Sequence, residues 1–263
     1  MSIEISHRVS ALRLDGETLS RQTEVLAEEV PVALVYNGLS HAVMMATPAD
    51  LEDFAVGFSV TEDIVGGADE IRLIERIETP QGLSLEMLIP QARFEALEAR
   101  SRNLTGRTGC GLCGAGTLAA AIRPVRQVSA TAQLDPSRLL AAFAELETRQ
   151  PLNRETGAVH AAAILDQHGQ LHVREDVGRH NALDKVAGHV LRQGLSARAL
   201  LVTSRASYEI VHKAAQIDCP LVAAISAPTA LAVRLATEAG VSLIGFARDQ
   251  RLTRYTGTDV APA

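Results

Sequence analysis

The sequence predicts an α/β protein: a three-layer α/β sandwich over its C-terminal half, preceded by a smaller α+β unit. Three observations carry this. From Ala158 onward, short apolar runs alternate with helical periods, the pattern of right-handed strand–helix–strand crossovers under a sheet covered on both faces. Before that, apolar runs occur in two pairs, each joined by a turn signal and each followed by a helical period. Between the two regions lies Arg102 to Thr117, which has neither period, and then a weakly patterned segment at 123–135. The expected boundary falls near 125–135, dividing the chain into domains 1–125 and 126–263.

The elements follow in order. Val30 to Tyr36 and His41 to Thr47 flank Asn37-Gly38, a tight-hairpin signal because both residues tolerate positive φ. Thr47-Pro48 then supplies an N-cap and a first-turn proline for a helix whose Leu51, Phe54, Ala55 and Phe58 share a face. Ile71 to Glu78 and Leu83 to Ile89, joined through Pro80-Gln81-Gly82, form a second hairpin, and Arg93 to Arg102 a short charged helix. Asp135-Pro136 opens a helix that turns Leu139, Leu140, Phe143 and Leu146 one way. Ala158 to Leu165 and Leu171 to Arg174 bracket the Gln167-His168-Gly169 turn, and Arg179 to Arg192 is a helix ended by Gly194. Strands at Ala199–Thr203, Leu221–Ser226 and Val241–Ala247 alternate with helices at Ser207–Gln216 and Thr229–Ala239.

Composition narrows the function classes. The 263 residues carry 25 Lys+Arg against 31 Asp+Glu, a net charge of −6, with 47% apolar and 21% charged residues. That is a folding composition, with no overall electrostatic footprint for nucleic acid or an anionic membrane. The longest apolar run, Leu139 to Ala144, is six residues, far short of the roughly 18 of a membrane span. The first thirty residues show no apolar h-region, and three cysteines, an odd number, suit a reducing compartment. A cytoplasmic protein is expected.

Cys110-Gly-Leu-Cys113 is the strongest local feature, and glycines at 106, 109, 111, 114 and 116 surround it. A single CxxC reads as half a zinc site, a redox pair, a sulfur-carrying nucleophile or an accident of a glycine loop. A structural zinc site wants four ligands, and no second CxxC is present. A redox pair wants its first thiol at a helix N-terminus after a strand, whereas this stretch is glycine-rich on both sides. Its glycines suit a mobile backbone that carries a thiolate between partners, with Arg102 and Arg107 favouring the thiolate. Of the four readings a sulfur relay fits best.

Glu175-Asp-Val-Gly-Arg-His-Asn-Ala-Leu-Asp-Lys185 sets two carboxylates, a glycine and the pair Arg179-His180 just before a helix. Its N-terminus, with free N–H groups, suits an anion or a polar ring; the bland alternative is a capped helix with surface ion pairs. Ser204-Arg-Ala-Ser-Tyr-Glu209, Ser226-Ala-Pro-Thr229 and Gly245-Phe-Ala-Arg-Asp-Gln-Arg251 each follow a strand, where open α/β sheets collect ligands. Each alone is first of all a helix cap or a turn. Together, with Arg205, Arg248 and Arg251 as fork donors, they suggest a nucleotide or pyrophosphate ligand. No G-x-x-x-x-G-K-[ST] is present; Gly109, Gly111 and Gly114 have dinucleotide spacing but sit in the cysteine stretch. Zinc deaminase activity is excluded because H-x-E…P-C-x-x-C is missing.

TGAVHAAAIL (156–165), EDVGRHNALDK (175–185), SRASYE (204–209), SAPTALAV (226–233), GFAR (245–248) and CGLCG (110–114) together resemble the FdhD family, the sulfurtransferases that mature formate dehydrogenases. The likeness is dense from about 105 to 255. It implies a sulfur carrier that takes sulfur from a cysteine desulfurase (IscS) as a persulfide. The sulfur then passes to the molybdenum of Mo-bis-molybdopterin guanine dinucleotide before that cofactor enters the formate dehydrogenase catalytic subunit. On this resemblance Cys110 bears the persulfide and Cys113 assists. Phe246, Ala247, Arg248, Asp249, Gln250 and Arg251 match the stretch that holds the guanine dinucleotide; Arg179, His180, Ser204 and Arg205 are read as further cofactor contacts. No tightly held metal of the protein's own is expected, and a homodimer is. The family's fold is similar to that of cytidine deaminases, which sets His180-Asn-Ala at H-x-E and Ser204-Arg-Ala-Ser at P-C-x-x-C. One departure is SRAS, where the family pattern S-G-R-x-S carries a glycine that would permit positive φ. The rival readings are a non-catalytic cofactor-binding chaperone and a thiol–disulfide oxidoreductase.

Overall fold

A computed structural model describes residues 3–102, 124–132 and 135–257. Three sheets organise it. β1 (Ser6–Asp15) and β2 (Thr18–Ala27) form a two-stranded antiparallel ribbon. β3 (Val30–Tyr36), β4 (Leu39–Ala46), β5 (Leu73–Thr79) and β6 (Gly82–Leu88) form a four-stranded sheet in the order β4-β3-β6-β5. Both expected hairpins are there, and parallel pairing of β3 with β6 merges them. Asn37 and Gly38 take φ of 48° and 83°, the double positive φ of a tight two-residue turn.

α1 (Leu51–Thr61) is buried at every position but Glu52, as a helix with apolar or small residues all round must be. The inner residues of the four-stranded sheet, among them Leu34, Tyr36, Leu85 and Met87, cover one side of it. The cap differs from expectation: the helix starts at Leu51, behind Asp50 in the left-handed region at φ 52°. Thr47 is engaged elsewhere, its N–H donating to Asp176 Oδ2 at 3.0 Å and its hydroxyl accepting from Val177 N at 3.2 Å. α2 (Gln91–Arg102) closes this part.

The C-terminal part is a six-stranded mixed sheet in the order β12-β11-β10-β9-β7-β8. Its strands are β7 (His160–Asp166), β8 (Leu171–Asp176), β9 (Ala197–Val202), β10 (Leu221–Ala224), β11 (Ser242–Arg248) and β12 (Arg251–Arg254). Strands β9, β10 and β11 are parallel, while β7, β8 and β12 run antiparallel to their neighbours. Period-two alternation splits the apolar strand residues into two cores. Ile164, Leu200, Val202 and Leu243 pack under α5 (Arg179–Arg192), α6 (Tyr208–Gln216) and α7 (Ala230–Ala239). Ala163, Leu201, Ala223 and Ile244 pack under α3 (Pro136–Thr148). The sheet is thus covered on both faces. Asp135 caps α3 as expected, accepting from the N–H groups of Ser137 and Arg138 at 3.0 and 3.1 Å.

Four elements have no counterpart in the sequence expectation: the ribbon β1–β2, the single 3-10 turn Ala68–Glu70, the short helix α4 (Pro151–Thr156), and β12. Val125 and Val128 lie against the C-terminal core, and Val128 N–H donates to Ala239 O. No helix among the described residues is long and apolar enough to cross a membrane.

The two parts meet through α1 and α5. Where the helices cross, a Cβ on Gly57 would stand 1.6 Å from Asp184 O, and one on Gly188 1.8 Å from Asp53 O. Bare backbone at both positions is what lets the axes approach so closely. A buried polar web flanks the crossing. Lys185 Nζ, fully buried, lies 2.6 Å from Asp176 Oδ2 and donates to Thr47 O at 2.8 Å. Asp176 Oδ1 accepts from Gly178 N and Asn181 Nδ2, and Asn181 Nδ2 also reaches Met45 O at 2.8 Å. Asp184 accepts from Lys213 Nζ and from Thr61 Oγ1. Replacing one member leaves its partner uncompensated: Lys185→Met leaves the Asp176 carboxylate buried without its cation, held only by neutral N–H donors, and is expected to cost about 3–5 kcal/mol. A urea titration reads this as a lowered midpoint, and an unchanged midpoint would contradict the pairing.

Candidate functional site

The strand directions gather the predicted residues at one end of the six-stranded sheet. Because β7 runs against β9, with Ala162 opposite Val202, the start of β7 lies beside the carboxyl end of β9. His160, opposite Asp176, therefore faces the same end as the turn Asp176-Val177-Gly178 that launches α5. The segments after β9, β10 and β11 arrive there too, laced by backbone bonds: Ile225 N to Val202 O at 3.1 Å, Thr229 N to Ala206 O at 3.0 Å, and Phe246 N to Ser226 O at 3.2 Å. Close passage of the third segment needs Gly245, where a Cβ would stand 2.8 Å from Pro228 Cδ and 3.1 Å from Ser226 O. The N-termini of α5, α6 and α7 all face this end with the positive ends of their dipoles; those of α5 and α6 have no side-chain cap, whereas Thr229 Oγ1 caps α7 by accepting from Ala232 N at 3.2 Å.

Of the polar side chains in the eleven-residue run 175–185, Arg179 and His180 are the ones not engaged in holding the fold together. Its other polar members hold the fold: Glu175 accepts from Leu152 N and Asn153 N at the start of α4, and Asp176, Asn181, Asp184 and Lys185 form the web described above. The density of polar residues that suggested a ligand site is largely a buried joint between two parts of the chain. Arg179 and His180 occupy the first turn of α5. His180 Nε2 lies 2.9 Å from Glu209 Oε2, in the first turn of α6. Burial pushes the Glu209 carboxyl up, but the His180 hydrogen bond, with the His180, Lys213 and Arg179 charges, outweighs it and holds the group below its ordinary range. Burial first, then the Arg179 and His180 charges, lowers the His160 imidazole below its usual value.

Among the described residues, two buried polar atoms here have no polar partner, Arg179 Nε and Ser207 Oγ; His180 Nε2 likewise makes no aligned hydrogen bond but has the Glu209 carboxylate beside it. Ser207 stands at the N-cap of α6 without capping it. Buried donors and hydroxyls are nearly always satisfied, so each such atom calls for a partner. A ligand offering acceptor oxygens meets both requirements. Ser204 is buried and its hydroxyl donates to Arg205 O at 3.0 Å; Arg205 is exposed. Arg205 is not among the residues with positive φ, so the turn at Ser204-Arg205 does without the family glycine.

Phe246 to Arg251 forms the rim. Asp249 and Gln250 take φ of 50° and 59° between the paired Arg248 and Arg251, a tight two-residue hairpin turn. A bulge between Gly245 and Arg248 places Phe246 at φ 53°, and non-glycine residues held there are strained. The Arg251 guanidinium stacks over the Phe246 ring at 5.5 Å, leaving Ala247 buried and Arg248 and Asp249 in solvent. Ser207 and Glu209 lay inside the stretch Ser204–Glu209 and His160 inside the motif 156–165, but the sequence reading named none of them as a contact. The signal that could have found them is a polar side chain at the very end of an apolar strand or in the first turn after one.

Cys110 and Cys113 lie outside the described residues. Cys219 is no substitute: it is fully buried, its thiol donates to Leu221 O at 3.3 Å, and burial pushes its pKa up to about 12, whereas sulfur chemistry needs a thiolate. Among the described residues no group of three or more His, Cys, Asp and Glu is placed to hold a metal. Two cavities lie away from this end of the sheet. One of about 350 Å³, between α3 and the amino ends of β9 and β10, is lined by Arg138, Arg198 and Leu221. The other, of about 300 Å³, is lined by Ile5, Arg149 and Arg174.

Comparison with known proteins supplies the context. Residues 27–261 match the model of the FdhD/NarQ family. A sulfur carrier protein FdhD from Cupriavidus necator is 53% identical over 236 residues, covering 89% of this chain and 82% of the relative. One from Xanthomonas euvesicatoria is 51% identical over 236 residues, covering 89% and 84%. A solved structure from Desulfotalea psychrophila, of a candidate formate dehydrogenase accessory protein, superposes with a TM-score of 0.72 at 24% identity, over 97% of this chain and 99% of that one. At that identity it speaks for the fold.

Proposed function

Since the chain belongs to the FdhD/NarQ family, we propose that it is a sulfur carrier in formate dehydrogenase maturation that works through a cysteine persulfide. The observation that carries the proposal is the identity of 50% or more, over nearly nine-tenths of the chain, to proteins named as sulfur carriers. A cysteine desulfurase of the IscS type delivers sulfane sulfur to the Cys110 thiolate, and Cys113 assists or resolves. The outer sulfur then passes to the molybdenum of bis-molybdopterin guanine dinucleotide, the substrate, before its insertion into the dehydrogenase: the S–S bond breaks, the Cys110 thiolate leaves, and a reduced metal centre would supply the two electrons that turn sulfane sulfur into a sulfido ligand. The working unit is a homodimer.

The sheet end holds the cofactor by its nucleotide. Pyrophosphate oxygens answer Arg179 Nε and Ser207 Oγ at the open helix N-termini, and the rim Phe246–Arg251 offers a ring and guanidinium groups to the guanosine. Binding energy is thus remote from the reacting sulfur, and its use is to hold the metal within reach of the persulfide. The cytidine-deaminase-like fold that the family resemblance implies is part of this reading: His180, in the first turn of α5, would stand at H-x-E, and Ser204 to Ser207, ahead of α6, at P-C-x-x-C. Stoichiometric zinc in chelator-washed protein would overturn that reading.

The test is peptide mass spectrometry of the segment with Cys110 and Cys113 after incubation with a cysteine desulfurase and cysteine, without reductant. The expected peptide is heavier by one sulfur in the wild type and in Cys113→Ala, and unmodified in Cys110→Ala. No added sulfur beside an active desulfurase would move the assignment to a cofactor-binding chaperone. The nucleotide site is tested separately by calorimetry with guanosine diphosphate. Arg179→Ala is expected to weaken binding about tenfold or more, as loss of a charge-assisted hydrogen bond does. Equal affinity in Arg179→Ala and Ser207→Ala would remove both from the site.

A further inference from the structure

The ribbon β1–β2 presents its faces the wrong way round for a monomer. Opposed residues of an antiparallel pair share a face, so Ala11, Ser20, Gln22 and Glu24 lie on one side and Leu12, Leu14, Leu19 and Arg21 on the other. Those four residues of the first side are half-buried, although Val9 and Leu26 nearer the ribbon's base on that side are exposed, and β2 packs against α4. The three leucines of the other side stand outward, 62%, 66% and 63% exposed. Neither edge of the ribbon pairs with another described strand. A lone two-stranded hairpin is marginal in water, and apolar faces and open edges of this kind are ordinarily covered.

A second uncovered surface lies on the four-stranded sheet. α1 covers one face; on the other, Val43 and Met45 of β4 and Ile77 of β5 are 48%, 48% and 40% exposed. Glu75 and Glu86 sit directly opposite each other on that face. Opposed like charges destabilise a strand pair, and neither carboxylate has a basic partner among the described residues. The ribbon's outward face carries what this surface lacks: three leucines for the apolar patch, and Arg8 and Arg21 for the carboxylates. A ribbon whose base is closed by Glu28 N to Ile5 O, two residues before β3, and held by α4 keeps those leucines away from its own sheet.

We infer that the ribbon of one copy docks on the outer face of the four-stranded sheet of a second copy, reciprocally about a two-fold axis. The leucine face covers Val43, Met45 and Ile77, and Arg21 stands over Glu75 and Glu86. The inference rests on the dimeric reading given above and adds the surface that makes the dimer.

Sedimentation velocity on the full chain tests it. Wild type is expected to run as a dimer, and the exposed double substitutions Leu12→Asp/Leu14→Asp and Val43→Asp/Ile77→Asp each to run as monomers, with the circular dichroism of wild type. Mixing the two variants restores a dimer of intermediate strength, because one intact ribbon then meets one intact sheet. Arg21→Glu weakens the dimer, and adding Glu75→Arg in the same chain restores it. This charge pair keeps the test open should a double variant fold poorly. A monomeric wild type would overturn both the dimer and its surface. A dimer that survives the ribbon substitution, or that is lost with the ribbon but not with the sheet face, would overturn the surface alone.

Discussion

Gly188→Ala is expected to destabilise the protein by about 3 kcal/mol or more. Overpacking ordinarily costs about 1–3 kcal/mol because side chains shift aside. Here the added carbon meets backbone, 1.8 Å from Asp53 O and 2.7 Å from Gly57 N, so relief requires moving α1 away from α5. That motion stretches the contacts flanking the crossing: Asp53 with Arg174 at 2.7 Å and Arg192 at 2.6 Å, and Thr61 with Asp184 at 2.6 Å. Thermal unfolding compared with Gly194→Ala, whose added carbon meets nothing within 4 Å but sits at φ 66°, separates the clash from backbone strain. A Gly188→Ala variant that melts within a degree or two of wild type would mean the helices do not cross so closely.

Cys110→Ala is expected to abolish sulfur delivery. In cells lacking the native protein it should leave formate dehydrogenase activity at background, while guanosine diphosphate still binds with wild-type affinity. The split matters because the proposed nucleotide site and the sulfur-bearing thiol are separate groups on separate segments. Thiolate attack has no substitute in an alanine side chain. Full dehydrogenase activity with Cys110→Ala would end the persulfide assignment, and with Cys110→Ala/Cys113→Ala it would favour a chaperone that grips the cofactor alone.

The strand–helix alternation after Ala158 was legible because each buried strand is a short apolar run bounded by turn residues, and Asn37-Gly38 because positive φ leaves so few residue choices. The ribbon was not: its exposed leucines and interleaved charges carry no core-facing stripe. Its one cue was Gly16, which takes the first turn position at φ 61°. That Arg179, His180, Ser204 and Phe246–Arg251 gather at one end of the sheet was readable because each ends or follows a strand. Asp176, Asn181 and Lys185 stand in the same run and partner Thr47 and Met45, well over a hundred residues away. Sequence density alone cannot separate a residue that awaits a ligand from one whose partner is distant backbone. Ser207 and Glu209 stood inside the stretch Ser204–Glu209 but read as ordinary capping and first-turn residues.

The two oxygens of Asp176 divide their work. Oδ2 meets Thr47 N and Lys185 Nζ, and Oδ1 closes the turn at Gly178 from which Arg179 and His180 emerge. One carboxylate therefore sets the aim of the proposed nucleotide contacts and anchors the N-terminal part of the chain. In heredity this ties the two parts together. A gene rearrangement that gave the C-terminal sheet a new neighbour would have to supply a backbone amide where Thr47 offers one, or lose the geometry of the site with it. Such a joint makes the chain a poor donor of movable modules, and lineages would be expected to vary it by substitution rather than by shuffling.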